Sequence, residues 1–63
     1  MIFKLSQDHS LVITKLDAII GGQPVYKVDF MEYYSAGSRC LESFHCSKDF
    51  LVWEYGDEIA AAL

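Results

Sequence analysis

The stretch from Val25 to Tyr34 constrains the fold more than any other part of this chain, because its side chains alternate with a period of two. One face is apolar apart from a single carboxylate and consists of Tyr26, Val28, Phe30, Glu32 and Tyr34. The other face is mixed and consists of Val25, Lys27, Asp29, Met31 and Tyr33. Such alternation of β-branched and aromatic residues predicts a β-strand. Because Met31 and Tyr33 interrupt the polar face, we expect part of that face to be covered too.

The chain has 63 residues, which is enough for a single domain over residues 1–63 with one core. A domain of this size buries only about 60% of the surface that its unfolded chain exposes. Hydrophobic residues nevertheless make up 52% of the sequence and aromatic residues 14%, a composition that excludes disorder. We therefore expect some apolar side chains to pack against a second subunit or a partner.

Turn residues divide the chain into five candidate strands, which are Met1–Gln7, Leu11–Ile20, Val25–Tyr34, Arg39–Cys46 and Asp49–Tyr55. The run from Leu11 to Ile20 also fits a helical stripe that Gly21 would end. We favour a strand there, because β-branched residues dominate and Gly21–Pro24 suits a hairpin connection. The acidic start and alanines of Asp57–Leu63 predict a short helix.

The predicted fold class is mainly β, with four or five strands and a short C-terminal helix. A small, highly twisted antiparallel sheet and a closed barrel both fit the strand spacing of about ten residues. The apolar start, the Gly21-Gly22 hairpin and the strand spacing resemble small SH3-like barrels over residues of about 5 to 55. This resemblance is one of architecture and brings no functional residues with it.

No motif predicts catalysis or a cofactor. Asp8-His9-Ser10 has the residue types of a hydrolase triad, but consecutive residues do not converge on one line of hydrogen bonds, and a polar turn with His9 facing water is expected instead. Gly21-Gly22 lacks the lysine and further glycine of a phosphate loop. We interpret Asp57 and Glu58 as helix-start charges. The chain is therefore expected not to be an enzyme.

The two cysteines, Cys40 and Cys46, would lie about 20 Å apart along a strand, too far for a disulfide. The alternation places both on one face with Phe44, so we expect small core residues. Together with His9 and His45 they would supply four zinc ligands in number, but without the spacing of a zinc motif. We predict no metal site.

The formal charge is −4, and four carboxylates without a basic residue follow Lys48, at Asp49, Glu54, Asp57 and Glu58. This acidic end disfavours contact with nucleic acid, where Lys and Arg supply most of the affinity. We expect a solvated face. The alternative is a surface that matches a basic patch on a partner or mimics nucleic acid.

Nothing in Met1–Lys4 marks export, and the longest apolar runs, Leu11–Ile13 and Phe50–Trp53, are too short to cross a bilayer. We therefore expect a cytoplasmic protein with reduced cysteines and no membrane contact.

These features favour a small non-enzymatic regulator, inhibitor or adaptor that binds a protein surface or a second copy of itself. Its size suits a phage or mobile-element product. The predicted partner-binding residues are apolar or aromatic and consist of Met31, Tyr33, Phe50, Trp53 and Tyr55. One alternative is a nucleic-acid-associated SH3-like accessory barrel, whose aromatics would stack bases. Another is a structural subunit of a homo-oligomer.

Overall fold

A four-stranded antiparallel meander carries the fold, with its strands in chain order. The computed structural model describes residues 1–63 apart from the side chain of Ala60. The strands are β1 (Ile2–Lys4), β2 (His9–Ile20), β3 (Gln23–Tyr34) and β4 (Gly37–Ser47), and two helices follow, α1 (Lys48–Tyr55) and α2 (Asp57–Ala62). The predicted small antiparallel sheet with a C-terminal helix is confirmed. The sheet is open, with β1 and β4 as its edges, and does not close into an SH3-like barrel.

The strands β2 and β3 form one long hairpin, which confirms the strand over Leu11–Ile20. Gly21 and Gly22 connect them in a two-residue turn with φ values of 59° and 80°. Glycine suits both positions, because the favoured hairpin turn requires positive φ at each. The pairing runs from His9 opposite Glu32 to Ile20 opposite Gln23, with an irregularity between Lys15 and Ile19.

The prediction of a strand over Asp49–Tyr55 is wrong, because this segment forms helix α1. The Ser47 hydroxyl caps the helix by accepting a 3.3 Å hydrogen bond from the Phe50 N–H, and Asp49 lies in the first turn near the positive end of the helix. Gly56 ends it at φ 94°, donating its N–H to the Val52 carbonyl at 2.8 Å. As a helix, the apolar run buries one of its sides against the core. As a strand, the same run would have had two apolar faces, and one of them would have been exposed.

The core lies between the helices and one face of the sheet. Its buried residues come from β2, β3 and both helices, and are Leu11, Ile13, Tyr26, Val28, Leu51 and Ile59. Half-buried side chains surround them, namely Phe3, Phe30, Phe44, Cys46, Tyr55 and Leu63. We call this side of the sheet the core face and the other side the open face. The predicted face of Tyr26, Val28 and Phe30 is the core face.

A β-bulge at Leu41 changes which side chains of β4 share a face. Phe30 pairs with Glu42, whereas the next residue, Met31, pairs with Cys40, so Leu41 has no partner. Paired residues lie on the same side of a sheet, and Cys40 therefore lies on the open face with Met31. The prediction that Cys40 shares a face with Phe44 and Cys46 is wrong for this reason.

Candidate partner-binding surface

Three aromatic rings form a continuous row from the edge strand onto α1. The Phe44 and Phe50 rings meet edge to face with centroids 5.8 Å apart, and the Phe50 and Trp53 centroids lie 6.1 Å apart. Exposure rises along this row, from half-buried Phe44 through Phe50 at 38% to Trp53 at 78%. We call Phe44, Phe50 and Trp53 the aromatic row.

Helix geometry explains why the row faces outward. Phe50 and Trp53 are three residues apart and share one side of α1, whereas Leu51 points about 100° away and is fully buried in the core. Tryptophan is highly buried on average in folded proteins, because its indole contributes a large apolar area. It is therefore unusual that so small a domain leaves most of the surface of its tryptophan side chain in water.

Negative charge accompanies the aromatic row. Its sources are exposed carboxylates on the two helices: Asp49, Glu54, Asp57 and Glu58. Burial of the phenol, followed by the Glu54 charge beside it, raises the pKa of Tyr55 above its ordinary value. Lys48, at the first residue of α1, is the one basic residue of the two helices. The exposed surface of α1 and α2 therefore combines an aromatic anchor with net negative charge.

The structure divides the five predicted partner-binding residues among three environments. Phe50 and Trp53 lie side by side on the exposed side of α1. Tyr55 is half-buried against the core. Met31 and Tyr33 belong to the open face of β3, across the sheet from the helices, where Tyr33 is 38% exposed and Met31 is half-buried. The predicted set is thus not one continuous patch.

A polar cluster explains why Glu32 interrupts the apolar face of β3. Arg39 of β4 contacts Glu32 Oε1 through Nε at 2.9 Å and Nη2 at 2.8 Å, and His9 Nε2 lies 3.2 Å from Glu32 Oε2. The hydrogen bond from Arg39 is the main cause that lowers the pKa of Glu32. The His9 ring stacks on Phe30 at 5.5 Å and is half-buried, so the expectation that His9 faces water is wrong.

Ser6, His9 and Glu32 form a hydrogen-bonded chain with the residue types of a hydrolase triad. Ser6 Oγ lies 3.1 Å from His9 Nδ1 on the side of the ring opposite Glu32. The backbone N–H groups of Leu5 and Ser6 both donate to the His9 carbonyl, at 2.9 and 3.2 Å, and so close the turn before β2. These two N–H groups are therefore not directed toward the position where a hydrolase would bind the negatively charged oxygen of its transition state. The arrangement ties the β1–β2 turn to β3 and β4.

The thiols and the second histidine occupy separate places. Cys40 and His45 lie on the open face, His45 opposite Lys27, whereas Cys46 lies half-buried at the core face, where burial raises the pKa of its thiol. Both cysteines are free. Among the residues that the structure describes, no three His, Cys, Asp or Glu side chains group as metal ligands would.

Sequence reasoning missed a second apolar surface, at the tip of the β2–β3 hairpin. Ile19 and Ile20 are each 74% exposed, and β1 does not reach them because it pairs with β2 only as far as Val12. Two surface hollows lie beside this tip, both including Pro24 in their lining. The only signal in the sequence was length, since two paired strands of 12 residues each extend well past a first strand of three residues.

Comparison of the chain with protein-family models, curated proteins and solved structures finds no match. Within the described part of the chain, neither helix has the length and apolarity needed to cross a bilayer.

Proposed function

We propose that this protein is a non-enzymatic regulator, inhibitor or adaptor that binds another protein through the aromatic row. The observation that carries the proposal is the 78% exposure of Trp53, next to Phe50 on a helix whose other side is locked into the core. Tryptophan is enriched among the residues that dominate binding energy at protein interfaces. Its truncation at such sites commonly costs about 2 kcal/mol or more.

The row is held in place before a partner arrives. Phe44 belongs to a strand and packs against the core, and its ring supports Phe50, which in turn contacts Trp53. A rigid anchor loses little side-chain freedom on association, so more of the contact energy contributes to affinity. This support distinguishes the row from Ile19 and Ile20, which lie at a hairpin tip outside the core cluster.

Charge favours a protein partner over nucleic acid. Phe50 and Trp53 lie on α1, and α1 together with the following α2 carries four exposed carboxylates, whereas phosphate backbones are bound through Lys and Arg. A protein segment that combines apolar with basic residues would complement this surface, because complementary potentials steer association and fix orientation.

Affinity capture from the producing cells with three tagged variants tests the proposal. The wild type is expected to retain a partner protein that Trp53→Ala loses. Ile20→Ala is the matched control, since Ile20 is also an apolar side chain with about three quarters of its surface exposed. A partner retained equally by all three variants, or no retained protein, would contradict the proposed function.

A further inference from the structure

We infer that the second half of β4, Ser43–Ser47, receives an extended basic segment of the partner as an additional strand, with the aromatic row contacting that segment. This inference rests on the proposed function and specifies how the partner binds. It combines three observations: an unpaired strand edge, the position of the aromatic row on that edge, and the charge of the helices beside it.

The outer edge of β4 is free to pair. Residues of β4 pair with β3 on one side, from Val25 opposite Ser47 to Tyr34 opposite Gly37. Over the described residues, no further strand and no turn hydrogen bond reaches the other side of β4. An edge strand of 11 residues presents a row of backbone donors and acceptors that can pair with another chain.

The usual protection of such an edge is confined to the first half of β4. That half contains the bulge at Leu41 and two charged side chains, Arg39 and Glu42. From Ser43 to Ser47 the sequence has no Lys, Arg, Asp or Glu, and the pairing with β3 is regular. Charges and bulges are the features by which proteins block unwanted strand pairing. The second half of β4 lacks both.

The aromatic row starts within this unprotected half. Phe44 lies on the core face of β4, and its ring contacts Phe50, the neighbour of Trp53. Alternate side chains of an added strand would lie on the same face as Phe44. Strand addition therefore gives affinity through backbone hydrogen bonds. Specificity comes from the aromatic row, which contacts the apolar side chains of the added strand.

Charge favours a basic segment over a second copy of this chain. Two copies joined through Ser43–Ser47 would form an assembly with two α1 helices that each start at Lys48, and with two sets of the four helix carboxylates. Like charges placed across an interface suppress pairing, whereas Lys or Arg on the incoming strand would be attracted. The expected segment therefore alternates apolar with basic residues.

Selection from a library of random 12-residue peptides displayed on phage tests the inference. We expect the enriched peptides to alternate apolar with Lys or Arg. Binding of the synthesised peptides should fall at least tenfold with Trp53→Ala and with the double reversal Glu54→Lys, Asp57→Lys. The matched control, Asp8→Lys with Asp17→Lys, changes net charge equally at exposed positions outside the helices and should bind within threefold of wild type.

Amide hydrogen exchange measured by NMR provides the second readout. A bound peptide is expected to slow exchange of alternate amides within Ser43–Ser47. Peptides that require Trp53 but leave these amides unprotected would overturn strand addition while the proposed function stands. Peptides without basic residues, binding insensitive to Trp53, or no enrichment would also overturn the inference. If light scattering shows a dimer in the wild type and a monomer in Trp53→Ala, the edge binds a second copy of the chain, and the inference is overturned as well.

Discussion

The rings of Phe44 in β4 and Phe50 in α1 meet edge to face, with their centroids 5.8 Å apart and their planes at 81°. This contact joins the edge strand to the helix that follows it directly, since β4 ends at Ser47 and α1 starts at Lys48. Edge-to-face pairs contribute about 0.5–1.5 kcal/mol beyond the area that they bury. The contact therefore fixes the position of α1, and with it the direction in which Trp53 projects.

Truncation in the aromatic row should change the free energy of unfolding little, whereas truncation in the core should lower it strongly. Trp53→Ala is expected to change the free energy of unfolding by no more than about 0.5 kcal/mol, because most of the indole is already in water. Leu51→Ala removes a fully buried side chain two residues away and should cost about 2–5 kcal/mol. Urea unfolding followed by circular dichroism measures both. A large loss for Trp53→Ala would place its indole in the core.

The Glu32–Arg39 pair should make stability depend on acid. Because the pKa of Glu32 is lowered in the folded state, its contribution is complete above the ordinary carboxyl pKa of 4.5 and is lost as pH falls through the lower folded value. We expect thermal unfolding to show a weaker decline between pH 5 and 3, roughly, in Glu32→Gln and in Arg39→Gln than in the wild type. Asp17→Asn, on the exposed hairpin, serves as the control. Identical pH profiles for wild type and Glu32→Gln would contradict this role.

The bulge at Leu41 should limit self-association. Deleting Leu41 leaves the pairs Phe30–Glu42 and Met31–Cys40 in register and makes the edge of β4 regular along its length. We expect the deletion variant to form concentration-dependent oligomers in sedimentation velocity, whereas Leu41→Ser, which keeps the extra residue, should sediment as the wild type does. If the deletion variant and the wild type sediment equally, a feature other than the bulge protects the edge of β4.

The two thiols should react separately and at different rates. Cys40 is exposed on the open face, whereas burial of Cys46 raises its thiol pKa and lowers its thiolate fraction near neutral pH. A thiol-specific chromogenic reagent is expected to modify one thiol quickly, and Cys40→Ser should remove that fast phase. Protein purified without reductant should keep the mass of two free thiols. A mass lower by two hydrogens would show an internal bridge that the opposite faces of these residues exclude.

Alternation and turn chemistry predicted most of the fold. The strong period of two in β3 located the core face, and Gly21-Gly22 located the hairpin. The same rule failed for Asp49–Tyr55, because an apolar run without alternation fits a buried strand and a helix equally well. The deciding features were local: the Ser47 hydroxyl, Asp49 in the first turn and Gly56 at the end.

The candidate surface was predictable only in part. Exposed apolar residues were expected from composition, and Phe50 and Trp53 were among those named, but their adjacency depends on the helix. Met31 and Tyr33 lie on the open face of β3, which is the side of the sheet that the helices do not cover. The bulge at Leu41 shows in the sequence only as a break in the alternation at Leu41 and Glu42, which does not identify the extra residue that changes the faces of Cys40 and Arg39.

Photo-crosslinking from position 53 in the producing cells tests the partner-binding role of the aromatic row most directly. A benzophenone amino acid replaces Trp53 in one variant and Ile20 in a second, two positions of similar exposure on different parts of the molecule. We expect one discrete heterologous adduct from position 53 and none of that mass from position 20. Adducts from position 20 alone, equal adducts from both, or no adduct from position 53 would contradict binding through the aromatic row.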